Sequence, residues 1–251
     1  CASLTSADRA VFSNRMYANS RPVQSNQSGV HEQLQAVVAK HAATAFRKPV
    51  SAVNLEAFAT SIAVWKAHGD VPLILDAGCG VGLSTRKLAQ AFPDSFVIGV
   101  DQSADRLSRD IRWAADLPNN FVTVRADLVD YWRLMLAERI YPQQHYLLYP
   151  NPWPKKSQLG RRWHGHAIFP VLVALGGRIE CRSNWKTYID EFASSLHQLS
   201  GIAVHTEMHD SAPAEALTPF EAKYASSGHT LWRCGTELPP SPGLAEALMN
   251  S

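Results

Sequence analysis

The sequence predicts an α/β protein built on a doubly wound, mostly parallel sheet of seven strands with helices on both faces. Short apolar runs end at acidic residues, as in 73–75 before Asp76 and 96–100 before Asp101, and helical stretches separate these runs. Alternating strands and helices favour a parallel sheet with right-handed crossovers. At 251 residues with 46% hydrophobic content, the chain is long enough to bury a core of its own.

The individual elements follow from the apolar spacing. Strands are predicted at 73–75, 96–100, 121–124, 145–149 and 177–181, with two closing strands inside 201–235. Helices are predicted at 30–46, 55–65, 83–92, 103–115 and 186–199. Residues 1–29, rich in Ser, Asn, Gln and Arg, are expected to form a flexible basic arm ahead of a single domain at 30–251.

Charge is unevenly distributed along the chain. Counting Lys and Arg against Asp and Glu gives +4 for 1–50, −2 for 51–150, +6 for 151–188 and −6 for 189–251, which sum to the net +2. Basic segments on either side of a mildly acidic block suggest that a polyanion docks on one face, because bound phosphates release their counterions.

Several functional classes are excluded or disfavoured. The four cysteines lie far apart and His164-Gly-His166 has no partner at ligand spacing, so reduced thiols and no metal are expected. Neither a Gly-x-Ser-x-Gly elbow nor a Walker A sequence is present. The sequence contains no apolar run of about 18 residues and no apolar signal-peptide core at its start. We therefore expect a cytoplasmic protein without membrane association, with a monomer slightly favoured.

The strongest local signal is a glycine loop. The residues Asp76-Ala-Gly78-Cys-Gly80-Val-Gly82 follow a predicted strand and precede a predicted helix. Glycines allow a sharp turn and close approach of a ligand, and the helix start offers free N–H groups. A dinucleotide fingerprint would need a third glycine at position 83, which is Leu.

Two further acidic residues follow the next strands. Asp101 ends the second strand, where a carboxylate accepts hydrogen bonds from ribose hydroxyls. The spacing D-x-G-x-G-x-G resembles motif I of the class I S-adenosylmethionine-dependent methyltransferases, which implies S-adenosylmethionine as cofactor and a Rossmann-like fold. The same resemblance places Asp127, after the third strand, where that superfamily reads the adenine amino group.

A proline-rich segment follows the fourth strand. It reads Tyr149-Pro-Asn-Pro-Trp-Pro-Lys155-Lys156, and Arg161-Arg162 follows after four intervening residues. Prolines stiffen the turn that presents Asn151 at the carboxyl end of a central strand. The four basic residues have no acidic neighbour between positions 150 and 165, so with the interleaved tryptophans they suit phosphate contact and base stacking.

This segment is similar to that of the bacterial tRNA (guanine-N7)-methyltransferases, which carry Pro-Asp-Pro-Trp-Pro-Lys-Lys, four residues, then Arg-Arg. Ser183-Asn184-Trp185 with Tyr188 resembles the family's Thr-Asp followed by Tyr, and Thr218-Pro-Phe-Glu221 resembles its Thr-x-Phe-Glu loop. The resemblance covers about residues 20–235. It implies methyl transfer from S-adenosylmethionine to N7 of a guanine in the variable loop of tRNA.

The resemblance also implies roles for individual residues. Cofactor contacts are expected from Asp76, Gly78, Gly80, Gly82, Asp101, Asp127 and Asn151. Asn151 is also the expected catalytic residue, where cofactor and guanine meet. Substrate contacts are expected from Lys155, Arg161, Arg162, Asn184, Thr218 and Glu221.

The chain departs from the family pattern at two positions, because Asn151 and Asn184 stand where the family has Asp. Asn-Pro followed by an aromatic also resembles, incompletely, the motif of methyltransferases that act on exocyclic or amide nitrogens. Two alternatives therefore stay open at this point: a methyltransferase with a different acceptor, and a tRNA-binding relative with weak catalysis.

Overall fold

A computed structural model describes residues 19–109 and 117–250. Its helices are α1 (Leu34–Ala42), α2 (Ala52–Ala67), α3 (Leu83–Ala91), α4 (Ala104–Leu107), α5 (Leu128–Ala137), α6 (Phe169–Leu175), α7 (Lys186–Ser200), α8 (Pro219–Ser226) and α9 (Pro242–Asn250). Its strands are β1 (Leu73–Ala77), β2 (Phe96–Asp101), β3 (Phe121–Arg125), β4 (Gln144–Leu148), β5 (Gly177–Ser183), β6 (His205–Met208) and β7 (Trp232–Leu238). Two 3₁₀ helices, Lys156–Arg161 and Trp163–Gly165, follow β4.

The strands form a single seven-stranded sheet in the order β3-β2-β1-β4-β5-β7-β6. Strands β1 to β5 pair in parallel, and β7 runs antiparallel to both β5 and β6. The order reverses direction between β1 and β4, which is where doubly wound sheets bind ligands. The predicted fold class, a mostly parallel sheet of seven strands, is confirmed.

Alternation along the strands divides the core into two layers. Leu73 and Leu75 of β1 pack on one face with Trp132 and Phe192, from α5 and α7. Ile74, between them, points to the other face and packs in a cluster with Leu88 of α3. Successive strand residues face opposite sides, so a sheet covered by helices on both faces needs apolar residues at every position.

The helices differ from the predictions in several places. The first helix is shorter than 30–46 and the second is longer than 55–65. Helices α5, α6, α8 and α9 were not predicted, and α8 lies where a loop with Thr218 and Glu221 was expected. Asp127 caps α5 by accepting a hydrogen bond from the Val129 N–H. Of the helix predicted at 103–115, the structure describes α4, while positions 110–116 lie outside the described residues.

The described part of the predicted arm lies against the domain. Gln27 is buried, Val23 packs on the larger core cluster, and Ser20 donates its N–H to Ser227 Oγ at 3.1 Å. We call residues 19–31 the strap. Residues 1–18, the remainder of the predicted arm, lie outside the described residues.

Two glycines with similar positive φ give a stability test. Gly177 and Gly201 both have positive φ, +81° and +73°. A β-carbon on Gly177 would lie 2.2 Å from the Pro142 carbonyl oxygen, whereas one on Gly201 would meet nothing within 4 Å. We expect Gly201→Ala to cost about 1–2 kcal/mol of unfolding free energy from the left-handed backbone alone. Gly177→Ala should cost at least about 2 kcal/mol more, because backbone must move.

Urea denaturation of the two variants beside the wild type measures this difference. Equal losses of unfolding free energy for Gly177→Ala and Gly201→Ala would contradict the close contact between the start of β5 and the segment before β4.

Candidate active site

The glycine loop joins β1 to α3. Gly78, Gly80 and Gly82 have φ of +84°, +59° and +78°, a region that favours glycine over residues with a side chain. The N–H groups of Gly78 and Cys79 donate to the Val100 carbonyl at 2.8 and 3.1 Å, which ties the loop to β2. A β-carbon on Gly78 or Gly80 would meet no atom within 4 Å. The loop therefore leaves open space above its first two glycines.

Asp76 braces this loop from below. Its side chain is buried, and its Oδ2 accepts hydrogen bonds from Ser84 Oγ at 2.6 Å and Thr85 Oγ1 at 2.7 Å, both in the first turn of α3. Burial raises the pKa of the Asp76 carboxyl to about 6, although the two hydroxyls act in the opposite direction. Asp76, which the sequence analysis expected to contact the cofactor, thus stabilises the loop and is not exposed at the site.

Asp101 lies at the carboxyl end of β2, directly beside the loop. Its Oδ2 accepts hydrogen bonds from the Gly80 N–H at 2.9 Å and from Arg106 Nη1 at 3.0 Å. Its Oδ1 accepts the Ser103 N–H at 2.8 Å. Arg106 is half exposed, so a ligand hydroxyl can take its place on Asp101 without opening the core.

Asp127 lies two residues beyond β3, on the far side of Asp101 from the loop. Its carboxylate caps α5, and its N–H donates to Asn54 Oδ1 at 3.2 Å. Asn54 in turn donates to Asp130 at 2.6 Å. Asp127 is partly exposed, at the same sheet edge as Asp101.

The register explains why these groups meet. Asp76 of β1 aligns with Gly99 of β2 and with Tyr146 of β4. Strand β4 ends three residues before Asn151, so the proline-rich segment leaves the sheet beside the glycine loop.

The proline-rich segment has an unusual backbone. Tyr149 and Trp153 have φ of +53° and +43°, a conformation that costs non-glycine residues of order 1–3 kcal/mol each. Asn151 lies between them with an exposed side chain, and its Oδ1 accepts the Trp153 N–H at 3.4 Å. The fold thus presents the Asn151 amide to solvent from a strained turn.

The basic residues that follow divide into exposed and buried ones. Lys155 and Arg161 are exposed, and the Arg161 guanidinium lies 4.8 Å from the centre of the Trp153 ring. Arg162 is 0% exposed and donates to Glu191 Oε2 at 2.6 Å. The prediction that Arg162 contacts substrate is therefore wrong for this structure, because its guanidinium is enclosed by protein acceptors.

Asn184 follows β5 and connects to the strap. Its Nδ2 donates to His229 Nδ1 at 3.1 Å, and His229 Nε2 bonds to the Ser20 carbonyl at 3.0 Å. The His229 ring stacks on Tyr224, with centroids 5.4 Å apart and an interplanar angle of 12°. Since an amide nitrogen only donates, this geometry places the His229 ring proton on Nε2.

Thr218 and Glu221 lie mostly inside the protein. Thr218 Oγ1 caps α8 by accepting the Glu221 N–H at 3.0 Å. The Glu221 side chain is 1% exposed and accepts hydrogen bonds from Ser211 at 2.7 Å and from His209 and Arg182 at 3.2 Å each. Burial alone would raise the Glu221 pKa, but these donors and the arginine charge lower it. The structure does not present the Glu221 carboxylate to a substrate edge.

Several residues at the site escaped the sequence analysis, among them Arg182, Glu191 and His209. Helical spacing could have identified Glu191. It places this acidic residue on the same face of α7 as Tyr188, Phe192 and Ser195, and that face is buried and otherwise mostly apolar.

The comparisons with known proteins identify the family and support the fold. Residues 70–234 match a family model described as a putative methyltransferase. The chain belongs to this methyltransferase family. A solved structure described as an antibiotic-related methyltransferase covers 66% of this chain and 88% of its own, with a TM-score of 0.50 and 18% identity, which supports the fold.

Curated relatives carry a more specific name. The tRNA (guanine-N(7)-)-methyltransferases of Methylobacillus flagellatus and Bordetella pertussis are 26% and 31% identical over 64% of this chain, and the matches span 69% and 65% of their lengths. The relative of the same name from Geobacillus thermodenitrificans is 26% identical over 68% of this chain and 82% of its own length.

Two features are absent from the part of the chain that the structure describes. No helix in 19–109 or 117–250 is long and apolar enough to cross a membrane. Within the same ranges, no three His, Cys, Asp or Glu side chains come together as metal ligands.

The raised pKa of Asp76 predicts a pH dependence. Because the folded state favours the protonated carboxyl, wild-type stability should fall as pH rises from the unfolded pKa near 3.8 through about 6. Asp76→Asn keeps an oxygen acceptor for both hydroxyls but does not titrate. The free energy of unfolding of the variant minus that of the wild type should grow by about 2 kcal/mol between pH 4 and pH 7.5.

Denaturant unfolding of both proteins across that range measures the difference curve. A curve that stays flat, or that falls as pH rises, would mean that Asp76 ionises freely and is not held in a dry pocket under the loop.

Proposed function

We propose that this methyltransferase transfers a methyl group from S-adenosylmethionine to N7 of a guanine in tRNA. The observation that carries the proposal is the meeting of the glycine loop, Asp101 and the Asn151 segment at one sheet edge. The names of the curated relatives supply the acceptor. The variable-loop position of the guanine comes from the family resemblance.

The residues present fit S-adenosylmethionine. The open space above Gly78 and Gly80 admits a ligand, and the N–H groups at the start of α3 face it. Asp101 offers a carboxylate for the ribose hydroxyls in place of Arg106, and Asp127 lies further along the edge for the adenine. When bound, the cofactor supplies a methyl group on a positively charged sulfur.

The acceptor chemistry asks little of the protein beyond positioning. Guanine N7 has a free lone pair and no proton to remove, so the site needs no general base, and orientation supplies much of the acceleration. Asn151 offers its side-chain oxygen to the guanine N1–H and amino group. An amide forms neutral hydrogen bonds where a carboxylate would form charge-assisted ones, and the difference is about 1–2 kcal/mol for a bond.

The exposed cations define the face that takes the RNA. Lys155 has no ion pair among the described residues, and Arg161 is stacked on Trp153 rather than paired with an acid. Both are therefore available to phosphate. Thr218 and Glu221 are buried and act indirectly, because the hydrogen bond between them fixes the start of α8 near the part of the site that takes the acceptor.

A second candidate keeps the cofactor and changes the acceptor. Its support is that both departures from the family, Asn151 and Asn184, are neutral amides at the substrate side of the site. Two neutral amides suit an acceptor nitrogen other than guanine N7. Identifying the methylated product distinguishes the two candidate functions.

The test is methyl transfer from labelled S-adenosylmethionine to unmodified tRNA, with the product nucleoside identified after digestion. Wild type should yield 7-methylguanosine. Asn151→Asp should raise kcat by up to about tenfold, because charge-assisted hydrogen bonds replace neutral ones, and Asn151→Ala should lower it by about tenfold or more. Asn119→Ala is the matched control: an exposed asparagine just before β3, at the opposite edge of the sheet, that should leave kcat unchanged.

Label in another nucleoside would move the assignment to the second candidate. Salt-dependent tRNA binding with no label, for wild type and Asn151→Asp alike, would identify a tRNA-binding relative without this activity.

A further inference from the structure

We propose that Glu191 is a positioning residue, which holds the Asn151 segment and the strap in one arrangement through Arg162 and Gln27. The inference rests on the proposed function, since it concerns how the acceptor side of the site is kept in place. Glu191 lies on α7, and the sequence analysis did not assign it to the site, although it contacts the assigned residue Arg162.

The Glu191 carboxylate is fully enclosed and fully used. Its Oε2 accepts from Arg162 Nη1 at 2.6 Å and from His164 Nε2 at 2.8 Å. Its Oε1 accepts the His31 N–H at 2.9 Å and a hydrogen bond from Gln27 Nε2. Burial lowers the pKa of His164, which favours the neutral ring, and its Nε2 proton is the one that reaches Glu191.

Arg162 connects this carboxylate to the segment that carries Asn151. Its Nε donates to the Trp153 carbonyl at 3.1 Å and its Nη2 to the Lys155 carbonyl at 3.2 Å. The guanidinium also lies 4.9 Å from the centre of the Trp185 ring. Because the Trp153 N–H bonds to Asn151 Oδ1, the line of contacts runs from Glu191 through Arg162 and Trp153 to the Asn151 side chain.

The same group fixes the strap. Gln27 Oε1 accepts from Arg162 Nη1 and Nη2 at 3.1 Å each. Beside it, Ser25 Oγ donates to the Pro154 carbonyl at 2.6 Å, and Asn26 Oδ1 accepts the Lys156 N–H at 3.1 Å. Glu191 therefore joins three parts of the chain that are far apart in sequence: α7, the strap and the segment at 149–156.

Stability alone does not explain why the protein has a buried Arg162–Glu191 ion pair. An apolar pair of similar volume is often as stable as a buried ion pair, because both charges lose their hydration. What an apolar pair lacks is directed donors for the Trp153 and Lys155 carbonyls. The segment needs such anchors, since Tyr149 and Trp153 both hold positive φ.

The test removes both charges at once. Arg162→Met with Glu191→Leu keeps volume and leaves no unpaired buried charge. We expect a folded protein whose kcat on tRNA falls at least tenfold while its dissociation constant for S-adenosylmethionine stays within twofold. Hydrogen exchange should show loss of protection in residues 19–31 and 149–161, with β1 to β3 unchanged.

The matched control is Asp190→Asn, one residue earlier on α7. Asp190 pairs with Lys186 on the exposed side of the helix, at 2.7 Å, so this variant should keep the wild-type kcat and exchange pattern.

A folded double variant with wild-type kcat and intact protection would overturn the proposal. If the double variant does not fold, Arg162→Lys decides: it keeps the charge, but a single ammonium cannot reach Glu191 and both carbonyls. Lowered kcat with unchanged cofactor affinity supports positioning, and unchanged kcat overturns it.

If the wild type transfers no methyl group to tRNA, the proposed function fails. The positioning role is then tested by hydrogen exchange alone, in whichever of the Arg162 variants folds. Joint loss of protection in the strap and the segment then supports it, and retained protection overturns it.

Discussion

The carboxyl ends of β1, β2, β4 and β5 lie along one edge of the sheet, and everything at the candidate site depends on that alignment. Parallel pairing in register forces the four following segments to leave the sheet side by side. A cofactor loop, a carboxylate, an amide-bearing turn and Asn184 thus come together without any of them being close in sequence. Moving one strand by one residue would turn its end to the wrong face.

The polar residues at this edge divide by exposure rather than by type. Four carboxylates, Asp76, Asp101, Glu191 and Glu221, are buried and accept hydrogen bonds from backbone or from neighbouring side chains. The groups that face solvent are the Asn151 amide and the cations Lys155 and Arg161. Buried charges need hydrogen-bonding partners to be tolerated, so the interior anions hold loops in shape, while neutral and cationic groups remain at the surface.

Local patterns predicted much of this correctly. The strands, the glycine loop and the exposure of Lys155 and Arg161 follow from spacing, from glycine chemistry and from the lack of acidic neighbours. The burial of Arg162 could not be predicted, because Arg161 and Arg162 look alike in sequence. What distinguishes Arg162 is its contact with Gln27, 135 residues away in sequence, and with Glu191, 29 residues away. Helices α6 and α9 were likewise missed, since short apolar runs do not reveal whether they form helix or strand.

A crystal structure with S-adenosylhomocysteine, the demethylated product, would test most directly whether one sheet edge holds both the cofactor and the acceptor side. We expect the ribose hydroxyls on the Asp101 carboxylate in place of Arg106, the adenine beside Asp127, and the sulfur directed toward Asn151. A ligand bound away from the glycine loop, or a sulfur directed away from the Asn151 segment, would contradict this expectation.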